Sequence, residues 1–126
     1  RLYHADIVIP FMHWGWEYEP ENARQKALAR AMIDAGADIV IGGHPHVTQG
    51  VEYYQGKLIV YSLGNFVFDG FTTPESTTGW ALQLDMDKHG LLDWRTYVAH
   101  MDQQGVPHLD TESPSPRGNA RKQELA

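Results

Sequence analysis

The 126-residue sequence contains no cysteine, which excludes disulfide bonds and thiolate zinc sites. Basic residues are also scarce: 10 lysines and arginines stand against 16 aspartates and glutamates, which gives a net charge of −6. Sequence-independent binding to nucleic acid requires a basic face, so we exclude nucleic acid as a partner. No segment reaches the roughly 20 apolar residues of a membrane span, and no signal peptide is recognisable. Because the first residue is Arg1, we interpret the start of the sequence as a cut inside a longer protein.

Apolar residues make up 42% of the sequence, enough for one modest globular domain. Residues 5–12 (ADIVIPFM) are rich in β-branched side chains and predict a buried strand. A helix is predicted to begin at Pro20 and to end at Gly36, and residues 37–43 (ADIVIGG) predict a second buried strand. This order indicates a βαβ unit with parallel strands. The predicted buried face of the helix consists of Leu28, Ala31, Met32 and Ala35.

The following residues predict a β-hairpin. Residues 51–54 and 57–63 are strand-like and flank Gln55-Gly56, a pair typical of a tight turn. After a break at Gly64, residues 66–69 continue the strand pattern briefly. Residues 70–79 then predict a polar surface loop.

A second hairpin is predicted from residues 80–87 and 91–99, in which side chains alternate between core and solvent. The polar, proline-containing residues 110–126 predict a disordered tail. We therefore expect one domain over residues 1–109, followed by this tail.

The motif GGHPHV places two histidines, His44 and His46, directly after a predicted buried strand. His13 follows the neighbouring predicted strand, and sites in open α/β sheets lie at the carboxyl ends of strands. Imidazole is a common ligand of divalent transition metals, so the convergence of three histidines predicts a metal site. Glu17 and Glu19 follow His13 within reach of the same edge. The remaining histidines are isolated and predicted to be solvated: His4, His89, His100 and His108.

The residues leave two kinds of metal site open. Three histidines could hold one zinc ion with a free position for water, or they could form part of a two-metal site. A two-metal site requires a bridging carboxylate, and no obvious bridging aspartate lies at the end of a strand: Asp6 is at the wrong end of its strand, and Asp34 and Asp38 flank the helix end. For a two-metal site, the missing ligands would have to come from sequence upstream of Arg1.

Two polar residues in YSLGNFVFD have competing interpretations. Asn65 follows Gly64, and its residue type favours a turn with left-handed backbone. Alternatively, its amide reaches the active edge and orients a substrate or a metal-bound water. Ser62 lacks a glycine-flanked elbow and a dedicated base, so a serine-hydrolase interpretation is weak.

The phrases HWGWEYE and DAGADIVIGGHPHVTQGVEYYQGKLIVYSLGNFVFD, in this order, resemble the bacterial capsule-synthesis CapA family. That family is associated with poly-γ-glutamate capsule production and is similar to the calcineurin-like metallophosphatases. The resemblance covers residues 5–107. It implies an α/β fold that is a partial four-layer α/β/β/α sandwich, here without its amino-terminal half.

The resemblance also implies roles for individual residues. His13 and His44 would bind one metal of a dinuclear centre, and His46 would bind the other. Glu17 would contact the substrate or the side chains that bind the metals, and Asn65 would support the same pocket. The cofactors would be two divalent transition metal ions (Mn, Fe or Zn). The aspartates and the asparagine–histidine pair of the family's amino-terminal motifs are absent, so we expect this sequence alone to be inactive and marginally stable.

The leading functional hypothesis is a metal-dependent hydrolase that acts on a phosphate or amide bond of an anionic substrate. The first alternative is a non-catalytic component of a cell-surface polymer-export complex, with membrane-complex subunits as partners. The second is a metal-independent acid–base enzyme such as an epimerase. The family resemblance implies a location at the cell surface or on a membrane anchor, although this sequence contains neither a signal nor an anchor.

Overall fold

Residues 4–125 are described by a computed structural model, including all side chains except that of Glu124. Arg1, on which the expectation of a cut rests, lies outside the described residues. The described elements are, in chain order, β1 (Phe11–His13), α1 (Ala23–Asp34), β2 (Ile39–Gly43), β3 (Val51–Tyr54), β4 (Lys57–Val60), β5 (Thr78–Asp87), β6 (Gly90–Met101), β7 (Pro107–Asp110), β8 (Arg117–Asn119) and β9 (Glu124–Leu125).

The strands form two sheets, which confirms the predicted α/β class. The first sheet has the order β1-β2-β4-β3; β1 and β4 lie parallel to β2, and β3 is antiparallel to β4. The second sheet is antiparallel with the order β5-β6-β8-β9, and β7 also pairs with β6. Among residues 4–125, no helix is long and apolar enough to cross a bilayer.

The side chains of β2 and β4 alternate between two cores. Val40 and Ile59 face the helix, where they pack with Ile33 of α1. Ile39 and Leu58 face the opposite way and pack in a second cluster that includes Trp94 of β6. Since strand side chains alternate with a period of two, each strand contributes to both cores. The described residues therefore form three layers: the helix, the first sheet and the second sheet.

The first strand is shorter than predicted. The sequence predicts a strand over residues 5–12, but β1 comprises only Phe11–His13. Upstream, Val8 donates its N–H to Asp38 Oδ2 (2.8 Å) and accepts the Asp38 N–H (2.8 Å), so the chain runs beside β2 without regular pairing. Pro10 has no N–H to donate, which interrupts the ladder immediately before β1.

The helix begins three residues later than predicted, because Asn22 caps it. The Asn22 side chain accepts the Gln25 N–H (2.9 Å), and the Gln25 side chain accepts the Asn22 N–H (3.0 Å), which forms a capping box. Gly36, with φ +113, follows the last turn as predicted. The predicted buried face is wrong for three of its four residues: Leu28 is 42% exposed, and Ala31 and Ala35 are also exposed. Met32 is partly buried against the core. The residues of α1 that are buried are Gln25, Ala29 and Ile33.

Both predicted hairpins are confirmed. Gln55 and Gly56 have φ values of +52° and +72°, as a tight turn between β3 and β4 requires. The pair β5–β6 runs through ten register partners. Residues 66–69 are not a strand, however, because the chain bends away after Gly64, which has φ +71.

The prediction of a disordered tail over residues 110–126 is wrong for most of its length, although Ala126 lies outside the described residues. Arg117–Asn119 form β8, which pairs with β6, and Glu124–Leu125 form β9, which pairs with β8. β6 has 12 residues, and the edge that does not pair with β5 offers its backbone groups to β7 and β8. The composition of the tail did not reveal this pairing.

Candidate functional site

Parallel pairing of β1 and β2 brings His13 and His44 together. His13 lies opposite Gly43 in the register, and His44 is the next residue. The two imidazole rings have their centroids 4.2 Å apart, and the ring of His46 lies 5.6 Å from that of His44. The predicted convergence of three histidines at one sheet edge is therefore present in the structure.

The loop that carries His44 and His46 has an unusual backbone. Their φ values are +100° and +61°, a region that non-glycine residues rarely adopt and that costs on the order of 1–3 kcal/mol per residue. Pro45 between them is fully buried, and its carbonyl accepts the N–H of Tyr18 (2.8 Å). This hydrogen bond ties the loop after β1 to the histidine loop (residues 44–46) and helps to hold its strained conformation.

Gly42 is required by close packing behind the histidines. A Cβ atom there would lie 2.2 Å from Trp14 Nε1 and 2.2 Å from the Tyr61 carbonyl oxygen. These two groups form a buried hydrogen bond of 2.8 Å. A Cβ at Gly43 would meet only Phe11, at 3.8 Å. Of these two glycines, only Gly42 is therefore closely approached by another part of the chain.

Asn65 fixes the orientation of His46. Asn65 Nδ2 donates to the carbonyl of Ser76 (2.8 Å) and to that of His46 (3.3 Å), so its Oδ1 faces His46 Nδ1 at 2.8 Å. An amide oxygen only accepts, so this contact favours a proton on His46 Nδ1, and in the neutral imidazole Nε2 then keeps its lone pair. Asn65 does not adopt the left-handed turn conformation that its residue type favours; Gly64 does.

Glu17 completes a group of potential ligands. Donor atoms of Glu17, His44 and His46 all lie within 4.8 Å of one another, and Glu17 Oε1 is 4.0 Å from His46 Nε2. His13 stands beside this group through its ring contact with His44. Neutral imidazole nitrogens and a carboxylate oxygen are donors that divalent transition metals accept. His46 Nε2 faces Glu17 without a hydrogen bond among residues 4–125, while Nδ1 is hydrogen-bonded to Asn65, so the residues fit a metal ion.

Three aromatic residues around His46 were missed by the sequence analysis. The rings of Phe71 and Phe68 lie 5.0 Å and 5.5 Å from the imidazole of His46, and that of Tyr18 lies 6.5 Å away. Tyr18 and Phe68 lie within the phrases HWGWEYE and YSLGNFVFD, and Phe71 follows shortly after, but nothing in the sequence placed them beside His46. Tyr18 lies in the loop after β1, and both phenylalanines lie in the segment between β4 and β5, so their convergence depends on the tertiary fold.

The other predicted residues take different positions. Ser62 is fully buried and donates to the Val47 carbonyl (2.7 Å), which gives it a structural role. Glu19 is not among the clustered donor atoms. The four histidines predicted to be solvated are all exposed. Two of them have carboxylate partners: His100 lies 3.1 Å from Asp110, and His108 lies 2.8 Å from Asp102.

These carboxylates have shifted pKa values. Hydrogen bonds from Ser113 and then His100 hold the pKa of Asp110 well below its ordinary value. The contact with His108, followed by the N–H of Val106, lowers the pKa of Asp102. Both contacts stabilise the charged carboxylate.

A third shifted group lies on the helix side of the first sheet. Burial raises the pKa of Tyr61, and so does its hydrogen bond to Glu52 (2.6 Å). Burial alone would raise the pKa of Glu52, but hydrogen bonds from Arg30 and Tyr61 outweigh it and lower that pKa. Tyr61 connects these groups to the site through its carbonyl, which accepts the indole N–H of Trp14, the residue after His13.

The fold and the site together define an α/β protein with a candidate metal site at the carboxyl edge of its parallel strands. The family profile of the bacterial capsule synthesis protein PGA_cap matches residues 1–70, more than half of the chain. The chain belongs to this family. This confirms the resemblance noted in the sequence.

Individual relatives agree. The PGA biosynthesis protein CapA of Bacillus subtilis is 53% identical over 89 residues, which are 69% of this chain and 23% of that protein. The capsule biosynthesis protein CapA of Bacillus anthracis is 58% identical over 66 residues, or 52% of this chain and 16% of that protein. A probable polyglutamine synthesis accessory protein of Mycobacterium tuberculosis is 42% identical over 67 residues. The matched segment spans about a quarter or less of these relatives.

Proposed function

We propose that this chain is part of a metal-dependent hydrolase that acts in the synthesis or export of a capsular poly-γ-glutamate. The observation that carries the proposal is the clustering of Glu17, His44 and His46, with His13 against His44. The family and the names of the relatives support the polymer. The anionic polymer, or a phosphate or amide compound related to it, would be the substrate.

The chain would supply some of the ligands of two metal ions. His13 and His44 would serve one ion, and His46, with Glu17, the other. Four side chains do not fill two coordination spheres, so further ligands would come from outside the described residues. When bound, such ions activate water and neutralise the charge that develops on a phosphoryl or carbonyl oxygen.

The chain's own residues would prepare this chemistry. Asn65 would hold the proton of His46 on Nδ1 and so present Nε2 to the site. In hydrolysis the oxygen of water bonds to phosphorus or to the carbonyl carbon. The bond to the leaving oxygen or nitrogen breaks, and the leaving atom takes up a proton. Phe68 and Phe71 would exclude bulk water from one side of His46.

We further propose that the three described layers belong to a four-layer α/β/β/α sandwich, as in metallophosphatases. The order helix, sheet, sheet supports this arrangement. The fourth layer would cover the outer face of the second sheet. This part of the proposal concerns architecture and does not affect the ligand assignment.

The test is metal analysis of the full-length protein together with a His46→Ala variant. We expect about two equivalents of a transition metal in the parent protein. We also expect a loss of metal, and of phosphoesterase or amidase activity, in the variant. His89→Ala is the control, because His89 is exposed in the turn between β5 and β6.

Well-folded protein without bound metal would overturn the hydrolase mechanism and favour a non-catalytic component of an export complex. Activity that survives exhaustive chelation would also overturn it, and would favour direct acid–base chemistry by the histidines.

A further inference from the structure

A groove of about 880 Å³ opens next to the histidine cluster. Tyr18 and Phe71 line it, and the rings of both residues also lie next to the imidazole of His46. A ligand in the groove would therefore extend directly to His46. Cavities of this size are typical of sites for small molecules or for polymer segments.

The walls of the groove are held in place by hydrogen bonds. The N–H of Tyr18 donates to the Pro45 carbonyl. Across the groove, the hydroxyl groups of Thr73 and Ser76 lie 2.6 Å apart, and Thr78 Oγ1 donates to the Pro74 carbonyl (2.7 Å). A groove that is already formed loses little entropy when a ligand binds.

These contacts also determine which polar groups remain for a ligand. The hydroxyls of Thr73, Ser76 and Thr78 are engaged with the protein. The carboxylates of Glu19 and Glu75 are exposed, and neither makes a hydrogen bond or an ion pair with the part of the chain that is described. No lysine, arginine or histidine is among the described residues that line the groove.

We propose that this groove binds a primary ammonium group, namely the free amino end of the polymer chain. The faces of Tyr18 and Phe71 offer cation–π contacts, and Glu19 and Glu75 offer ionic partners. The α-carboxylates of internal residues would meet the like charges of Glu19 and Glu75 and no cationic side chain among the described lining residues. At the amino end, the ammonium offsets the α-carboxylate on the same carbon, which favours the end over an internal segment. The inference rests on the proposed polymer-processing function and specifies how the substrate is oriented at that site.

The test compares two probes on the full-length protein: a short γ-glutamyl oligomer with a free amino group and the same oligomer after amino-acetylation. Binding is measured by calorimetry in the presence of a chelator, so that the result does not depend on metal or turnover. We expect the free oligomer to bind about tenfold more tightly or better, because an ion pair and a cation–π contact together contribute an effect of that order.

Glu19→Gln/Glu75→Gln should reduce this preference to less than about twofold, since both carboxylates then lose their charge. Glu112→Gln is the matched control, because Glu112 is exposed elsewhere and should keep the preference. Equal or tighter binding of the acetylated oligomer, no binding of either probe, or an unchanged preference in the double variant would each overturn the proposal. None of these results would alter the metal content on which the proposed hydrolase depends.

Discussion

A single amide group controls which nitrogen of His46 faces the site. Depending on the orientation of its side chain, Asn65 could present to His46 either the amide oxygen, which accepts a hydrogen bond, or the amide NH2, which donates one. Its Nδ2, however, is committed to the buried carbonyl of Ser76 at 2.8 Å, which leaves Oδ1 for His46. Ser76 is in turn only 1% exposed and is fixed by Thr73. The orientation of a candidate metal ligand thus depends on a turn that lies 27 to 30 residues later in the chain.

We predict that Asn65→Leu weakens binding of Zn²⁺ to the full-length protein by about 10- to 100-fold, the usual effect of losing a partner that orients a ligand. Asn65→Asp keeps an acceptor for His46 Nδ1 and should recover most of the affinity. Competition with a chromophoric chelator measures both values, and circular dichroism checks that the variants are folded. Unchanged affinity in Asn65→Leu would show that His46 needs no such support.

The sequence alone located the histidines but could not assign Asn65. His13 and His44 were predictable because the carboxyl ends of parallel strands meet at one edge. Asn65 follows a glycine, and its residue type favours a turn. Its actual contacts involve residues 11 and 19 positions away, which no local pattern encodes. Tyr18 and Phe71 were missed for the same reason.

At the level of elements, the end of β2 depends on a close approach between two segments. The Trp14 indole passes directly over Gly42 to reach the Tyr61 carbonyl. Trp14 is only 8% exposed and belongs to the core between the helix and the first sheet. The same residue follows His13, so this packing also sets the position of the first histidine.

Gly42→Ala should therefore lower the free energy of unfolding by about 2–4 kcal/mol, through overpacking and loss of the buried indole hydrogen bond. Gly43→Ala, one residue later, meets only the Phe11 ring at 3.8 Å and should change the free energy by less than about 1 kcal/mol. Urea denaturation of both variants, followed by tryptophan fluorescence, tests the difference. Equal destabilisation by the two substitutions would refute the proposed packing.

Elements whose signals are local were predicted well, and those set by tertiary contacts were not. The turn at Gln55-Gly56 has its own conformational signature, so the hairpin was predicted correctly. The buried face of α1 was not, because the Gln25 side chain turns inward to donate to Gln49 Oε1 (2.8 Å). A glutamine is a poor marker of a buried face, and hydrophobic periodicity therefore gave the wrong phase.

For the whole molecule, the two sheets share the core between them, so a local change in either sheet should alter the stability of the whole fold. Trp94 of β6 packs with Ile39 and Leu58 of the first sheet, and its indole donates to the Tyr53 hydroxyl (2.7 Å). The chain exposes 7700 Å², compared with about 6,800 Å² expected for a monomer of this mass. Because less surface is buried than in a typical monomer of this mass, we predict a small free energy of unfolding, against which modest electrostatic changes become measurable.

We predict that acid destabilises the chain through the pairing of β6 with β7. The pKa values of Asp102 and Asp110 are lowered in the folded state, so their stabilising contribution is complete above the ordinary carboxyl pKa of about 4. It is lost as the pH falls below that value toward the folded-state pKa. The melting temperature should therefore decrease between pH 4 and pH 2, as measured by thermal melts across this range.

In Asp110→Asn, the decrease of melting temperature between pH 4 and pH 2 should be smaller. The carboxylate that Ser113 and His100 stabilise is no longer present to be protonated. Glu112→Gln is the control. The Glu112 carboxylate lies in the same segment but accepts no hydrogen bond among residues 4–125, so this variant should lose melting temperature with acid as steeply as the parent. If Asp110→Asn retains the full slope, acid sensitivity originates elsewhere in the fold. A flat profile in the parent itself would mean that β7 pairs with β6 independently of its charged side chains.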